Sequence, residues 1–255
     1  MLRRIEQFGE WTIYLLIGAF LLAASSPPPG NNVIDRARAF TRSSEFNYDI
    51  WTLDAALLKV GQSAMGLPDA MSREARLEAV MEYLRLTESA LRAEDRLAIL
   101  FADPNIADKE NAAKQIRAEL DALYARQEIV QPLAESVIQS QVAEVLAEMG
   151  LTFGGQPIPP VLYHVSPLPM NLIVSRRDKV EQIASISLQP DLDLEGQIKI
   201  EDEVAAALDS STLVVPVGGI GVYPTMVMRT SYFNWQIGTV VHEWTHNFLT
   251  HRPLG

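Results

Sequence analysis

Through the first 150 residues, apolar positions recur at spacings of three, four and seven, the period of helices that each bury one stripe. Residues 37–61 form a first, loosely patterned helical region through Phe40, Phe46, Ile50, Leu53, Leu57 and Leu58. Pro68-Asp69 and Ser72 signal a second start, and Leu77, Val80, Met81, Leu84, Leu91 and Leu100 continue one stripe from it. Asp103-Pro104-Asn105 breaks that helix. A third is expected from about Ile106 to Met149, with Ile116, Leu120, Leu123, Ile129, Leu133, Val137, Val145 and Leu146 turned inward. Pro132 should kink it, and Gly150 suits its C-terminal end.

The pattern changes at residue 151, where Gly154-Gly155, Pro157, Pro159 and Pro160 mark a boundary. Short β-prone runs follow at 160–165, 171–175, 182–188, 213–217 and 226–228, with a short helix over 201–208 and a last element over about 231–250. The chain therefore reads as α+β in three parts: 1–32, a helical domain over 33–150, and a mixed domain over 151–255. The acidic residues Asp191, Asp193, Glu195, Glu201, Asp202 and Glu203 lack the alternating oxygen-ligand spacing and central glycine of a calcium loop, so a solvated hairpin is expected there.

Composition narrows the possible partners. The 255 residues are 48% hydrophobic and 21% charged, which suits a packed core. A formal charge of -11 disfavours phosphate backbones, so no nucleic-acid partner is expected. With no cysteine in the chain, any metal site must draw on His, Asp or Glu. Arg3 and Arg4 precede an apolar run from Trp11 to Ala24, which leads into Ser25-Ser26 and the stiff Pro27–Asn32 linker. This is the order of a signal peptide or signal-anchor, with the arginines cytoplasmic and the bulk of the chain outside.

The chemistry gathers near the end, in His242-Glu243-Trp244-Thr245-His246. Histidines at i and i+4 share one helix face about 6 Å apart along the axis, within reach of one tetrahedral Zn²⁺. Glu243 projects about 100° away, where it can act as general base on water activated by the metal. The surrounding residues, from Thr239-Val240-Val241 to Asn247-Phe248, are uncharged, and Ser231 or Asn234 is a plausible helix cap. Two core histidines with satisfied hydrogen bonds are the bland alternative, disfavoured by the cost of burying both beside a carboxylate.

Residues 213–250 resemble the catalytic core of the zincin metallopeptidases, in which a strand bordering the substrate cleft precedes the His-Glu-x-x-His helix. The resemblance implies His242 and His246 as zinc ligands and Glu243 as catalytic base, with 221–228 as the cleft strand, limited by Pro224 to an edge or broken strand. It also implies a third ligand. The metzincin branch uses a histidine six residues after the second, with glycine between; His251 is five after His246, without the glycine. The gluzincin branch uses a glutamate on a later helix, and this sequence stops at Gly255, so a gluzincin-like, C-terminally truncated domain is expected. His164 reads as a packed or surface histidine. The expected function is a membrane-associated, extracytoplasmic zinc peptidase acting on a peptide or protein substrate. The alternative is a non-catalytic, membrane-anchored helical interaction protein carrying a zincin remnant.

Overall fold

The structure, a computed structural model, describes residues 32–152 and 155–250. The Trp11–Ala24 segment and His251 lie outside them. The chain is α+β, and its contacts group it into two compact units that interleave along the sequence. One comprises the residues up to Ser43 with Ile173–Ile186 and Leu194–Leu213; the other comprises Ser44–Leu172, Ser187–Asp193 and the chain from Val214 onward. Among the described residues no helix is long and apolar enough to cross a membrane.

In the first unit, helix α1 (Val33–Thr41) starts at Asn32, whose side chain accepts the amide of Ile34 at 3.1 Å. It packs on α6 (Leu194–Leu208), and Arg36 donates to the Ala207 carbonyl at 2.6 Å. The acidic run expected as a hairpin lies mostly within α6, which begins at Leu194, seven residues before the expected start. Glu195 sits in its first turn, where negative charge favours the helix.

The second unit opens with four helices. α2 (Tyr48–Met65) is followed by the one-turn α3 (Leu67–Ala70), then α4 (Arg73–Ala102) and the long α5 (Lys109–Glu148). Ser72 and Asp108 cap α4 and α5 by accepting the amides of Ala75 and Asn111. α4 and α5 pack as an antiparallel pair, and small residues at the seam (Ala79, Ala90, Ala93, Ala113) let the backbones approach. Contrary to the sequence expectation, Ile129 and Val145 face solvent, while Val130, Ala134, Ile138 and Val142 are buried. Adjacent apolar pairs at 129–130 and 145–146 left the stripe ambiguous by one residue, which is about 100° of rotation. Leu77 and Met81 on α4 are exposed for the same reason, beside buried Val80 and Leu84. Pro132 lies inside α5 without dividing it.

Strands β1 (Tyr163–Val165), β2 (Met170–Ser175), β3 (Gln182–Leu188), β4 (Ser211–Pro216), β5 (Gly219–Ile220) and β6 (Thr225–Val227) form two three-stranded sheets, ordered β3-β2-β4 and β1-β6-β5. In the second sheet β1 runs parallel to β6, and β5 antiparallel to it. The strand expected at the cleft edge is thus the central one. Pro224 stops short of the ladder, which starts where the Thr225 amide donates to the Leu162 carbonyl, and β5 takes the edge.

The outer edge of β1 is closed by side chains from α5. Gln139 accepts the amide of Tyr163 at 3.1 Å, Glu135 accepts the amide of Val165 at 2.8 Å, and Gln131 donates to the Val165 carbonyl at 2.8 Å. Their spacing of four places all three on one helix face. The buried Glu135 charge is matched by Lys59 of α2 at 2.5 Å, and the His164 ring lies against the same carboxylate at 3.1 Å. The last helix, α7 (Phe233–Thr250), buries Gln236, Val240 and Trp244, and the latter two join Val137, Ile138, Tyr163 and Val227 in one core.

Candidate metal centre

The site is the opposite, open face of α7. Residues 235, 239, 242 and 246 are spaced four, three and four, so Trp235, Thr239, His242 and His246 share one stripe. The helix starts at Phe233, which leaves Ser231 outside it and Asn234 within its first turn. Thr230 orders the approach instead, accepting the amide of Tyr232 at 3.1 Å. Packing fixes the rotation of α7. The Trp244 indole N–H donates to the Pro159 carbonyl at 2.7 Å and its ring stacks on Phe248.

His242 and His246 bring their Nε2 atoms to 3.1 Å, with the rings at 80° to each other. Two nitrogens bound to one tetrahedral zinc, each at about 2.0–2.1 Å, stand roughly 3.3 Å apart. The pair therefore fits a shared cation. A catalytic zinc needs three protein ligands, and among the described residues no group of three His, Cys, Asp or Glu side chains is placed to hold a metal. His164 lies on β1, with its Nδ1 against both Glu135 oxygens at 3.1 and 3.3 Å.

Glu243 lies beside the imidazoles under strand β5. A Cβ at Gly219 would fall 2.7 Å from Thr239 Cγ2 and 3.0 Å from Glu243 Oε1; one at Gly221 would fall 3.2 Å from Glu243 Oε2. A side chain at either position would press on Thr239 or on the carboxylate. Asn247 ties the exit of the strand to α7 by donating to the Val222 carbonyl at 3.3 Å. In the sequence these glycines separate the β-prone runs 213–217 and 226–228. Their alternate spacing, 219 and 221, was the available signal that one strand face lies against another element.

Gly218, Gly219, Trp235, Gly238, Thr239, His242 and Glu243 enclose a groove of about 480 Å³. His242, of the convergent imidazole pair, and Glu243 line it, and among the described residues the outer edge of β5 has no partner in the sheet. No family model, curated protein or solved structure matches this chain.

Proposed function

We propose that the chain is a zinc-dependent peptidase of the zincin type, gluzincin-like in outline, with a peptide or protein as substrate. The observation that carries this reading is the 3.1 Å approach of the His242 and His246 Nε2 atoms, with Glu243 on the adjoining turn. These imidazoles would hold the ion. Zinc, when bound, supplies Lewis acidity that polarises a carbonyl and lowers the pKa of water.

The protein's own groups account for the remaining work. Backbone N–H and C=O groups on the open edge of β5 suit an extended peptide, which would add to the sheet as a further strand. Glu243 takes a proton from the attacking water and passes it to the departing amine. The Trp11–Ala24 segment supports a membrane-associated, extracytoplasmic setting.

Zinc content and peptide hydrolysis, measured on the full chain and on Glu243→Gln, test the reading. Bound zinc in both, with hydrolysis only in the wild type, is the expected result; no zinc in either overturns it. A non-catalytic interaction protein is the second reading. It is favoured by the exposed apolar row Ile50, Leu53, Leu57 and Val60 on α2, and the zinc-free outcome would support it.

A further inference from the structure

Helix α2 buries Ala55, Lys59 and Gln62 and leaves its opposite side open. There Ile50, Leu53, Leu57 and Val60 are each 61–68% exposed. Their spacing of three, four and three confines them to an arc of about 80°. So narrow an apolar row is the a/d seam of two paired helices, not the broad face that a helix lays on a core. At its N-terminal end the row runs into a groove of about 560 Å³, where Phe46, Trp51, Pro167 and Pro190 join Ile50. The groove is built firmly: the Trp51 indole N–H donates to Ser166 Oγ at 3.2 Å, and the Phe46 amide to the Ser187 carbonyl at 2.9 Å.

Charge singles out the occupant. Asp49 and Asp54 are exposed on the two flanks of the row, where the outer residues of a paired helix would lie, and Asp54 and Asp191 both line the groove. Segments 44–58 and 187–193, which supply most of the lining, hold Glu45, Asp49, Asp54, Asp191 and Asp193 and no Lys or Arg. Lys59, the cation of α2, is spent inside the protein on Glu135. A second copy is a poor fit. Parallel pairing of α2 with itself sets Asp49 against Asp54. Antiparallel pairing, Ile50 on Val60 and Leu53 on Leu57, brings the two copies of Asp54 to one flank about 3 Å apart along the axis. Anionic lipid headgroups meet the same repulsion. We propose that this face docks a basic amphipathic helix of a partner protein. Its apolar seam lies along the row, its Lys or Arg side chains over Asp49 and Asp54, and one bulky apolar residue in the groove. The inference goes beyond the peptidase reading: it needs no bound metal and holds whether or not the chain cleaves peptides.

The test uses the full chain and two synthetic three-heptad helices with leucine at every a and d position. One carries lysine and the other glutamate at every e and g position, so neither pairs readily with itself. In about 0.15 M salt, which screens diffuse attraction to the acidic chain, fluorescence anisotropy should show the lysine helix bound about tenfold more tightly than the glutamate one. Leu57→Asp should weaken that binding about tenfold, although it adds negative charge, and Asp49→Lys/Asp54→Lys should reverse the order of the two peptides. These side chains are exposed, so the substitutions leave the core intact, which circular dichroism verifies. No binding, binding that Leu57→Asp leaves unchanged, or no preference between the peptides overturns the proposal. So does a wild-type dimer in sedimentation, or flotation on phosphatidylserine vesicles, that Leu57→Asp abolishes, because a second copy or a lipid surface then covers the face.

Discussion

The backbone amide of Val165 donates to the carboxylate of Glu135 at 2.8 Å, so a helix side chain takes the place of a neighbouring strand. That carboxylate is fully buried, and Lys59 supplies its counter-charge from a second helix. Removing one member of such a pair leaves an uncompensated buried charge. Glu135→Gln or Lys59→Met should each destabilise the protein by about 3–5 kcal/mol. The Lys59→Met/Glu135→Gln double variant should cost less than the two single losses added together. Urea unfolding of all four proteins checks this cycle, and simple additivity would argue against the pairing.

Acid should weaken this region in a defined window. Burial pushes the Glu135 carboxyl up, but the Lys59 ammonium, with His164, more than reverses this and holds it at about 2, below the ordinary 4.5. A depressed folded-state pKa contributes stability that is complete above the unfolded value and is lost as pH falls through the folded one. Wild-type stability should therefore drop between pH 4.5 and about 2 more steeply than that of Glu135→Gln. Denaturation midpoints at half-unit intervals would reveal the difference, and parallel curves would contradict it.

Gly219→Ala should separate catalysis from metal binding. The added methyl would sit 2.7 Å from Thr239 Cγ2 and 3.0 Å from Glu243 Oε1, so strand and carboxylate must part. Under the proposed chemistry, kcat/KM should fall about tenfold or more, because small displacements of reacting groups are costly. The zinc content should stay at the wild-type level. An unchanged rate would show that β5 need not lie against Glu243.

Replacing either His242 or His246 by Ala should abolish stoichiometric zinc, since each supplies one of the two convergent nitrogens. Elemental analysis after dialysis decides it. Trp244→Phe tests the support beneath the site. Loss of its hydrogen bond to Pro159 should cost about 1 kcal/mol in stability while leaving zinc bound.

The long helices and the His-Glu-x-x-His motif were legible in the sequence because their signals are local, although the one region expected over 37–61 divides into α1 and α2. Ser72 and the Asp103–Asn105 break bound α4 as expected, and His242, Glu243 and His246 carry their geometry in their spacing. What escaped the sequence depends on pairing between distant segments. Lys59, Glu135 and His164 are ordinary polar residues when read singly, and only the fold brings them together. The same holds for β5: two residues between glycines carry no periodicity, and the edge role was assigned to the longer run that became β6. Gln131, Glu135 and Gln139, at spacing four, did leave a trace, although any solvated helix face offers similar rows.

The side-chain ladder on β1 has a consequence for how this protein can meet other chains. With one margin of the sheet sealed by α5, the berth left to a visiting strand among the described residues is the β5 edge, above Glu243. Under the proposed function, self-association that extends this sheet along β5 would occupy the ground a peptide needs, so crowding of copies and turnover would compete for the same few backbone groups.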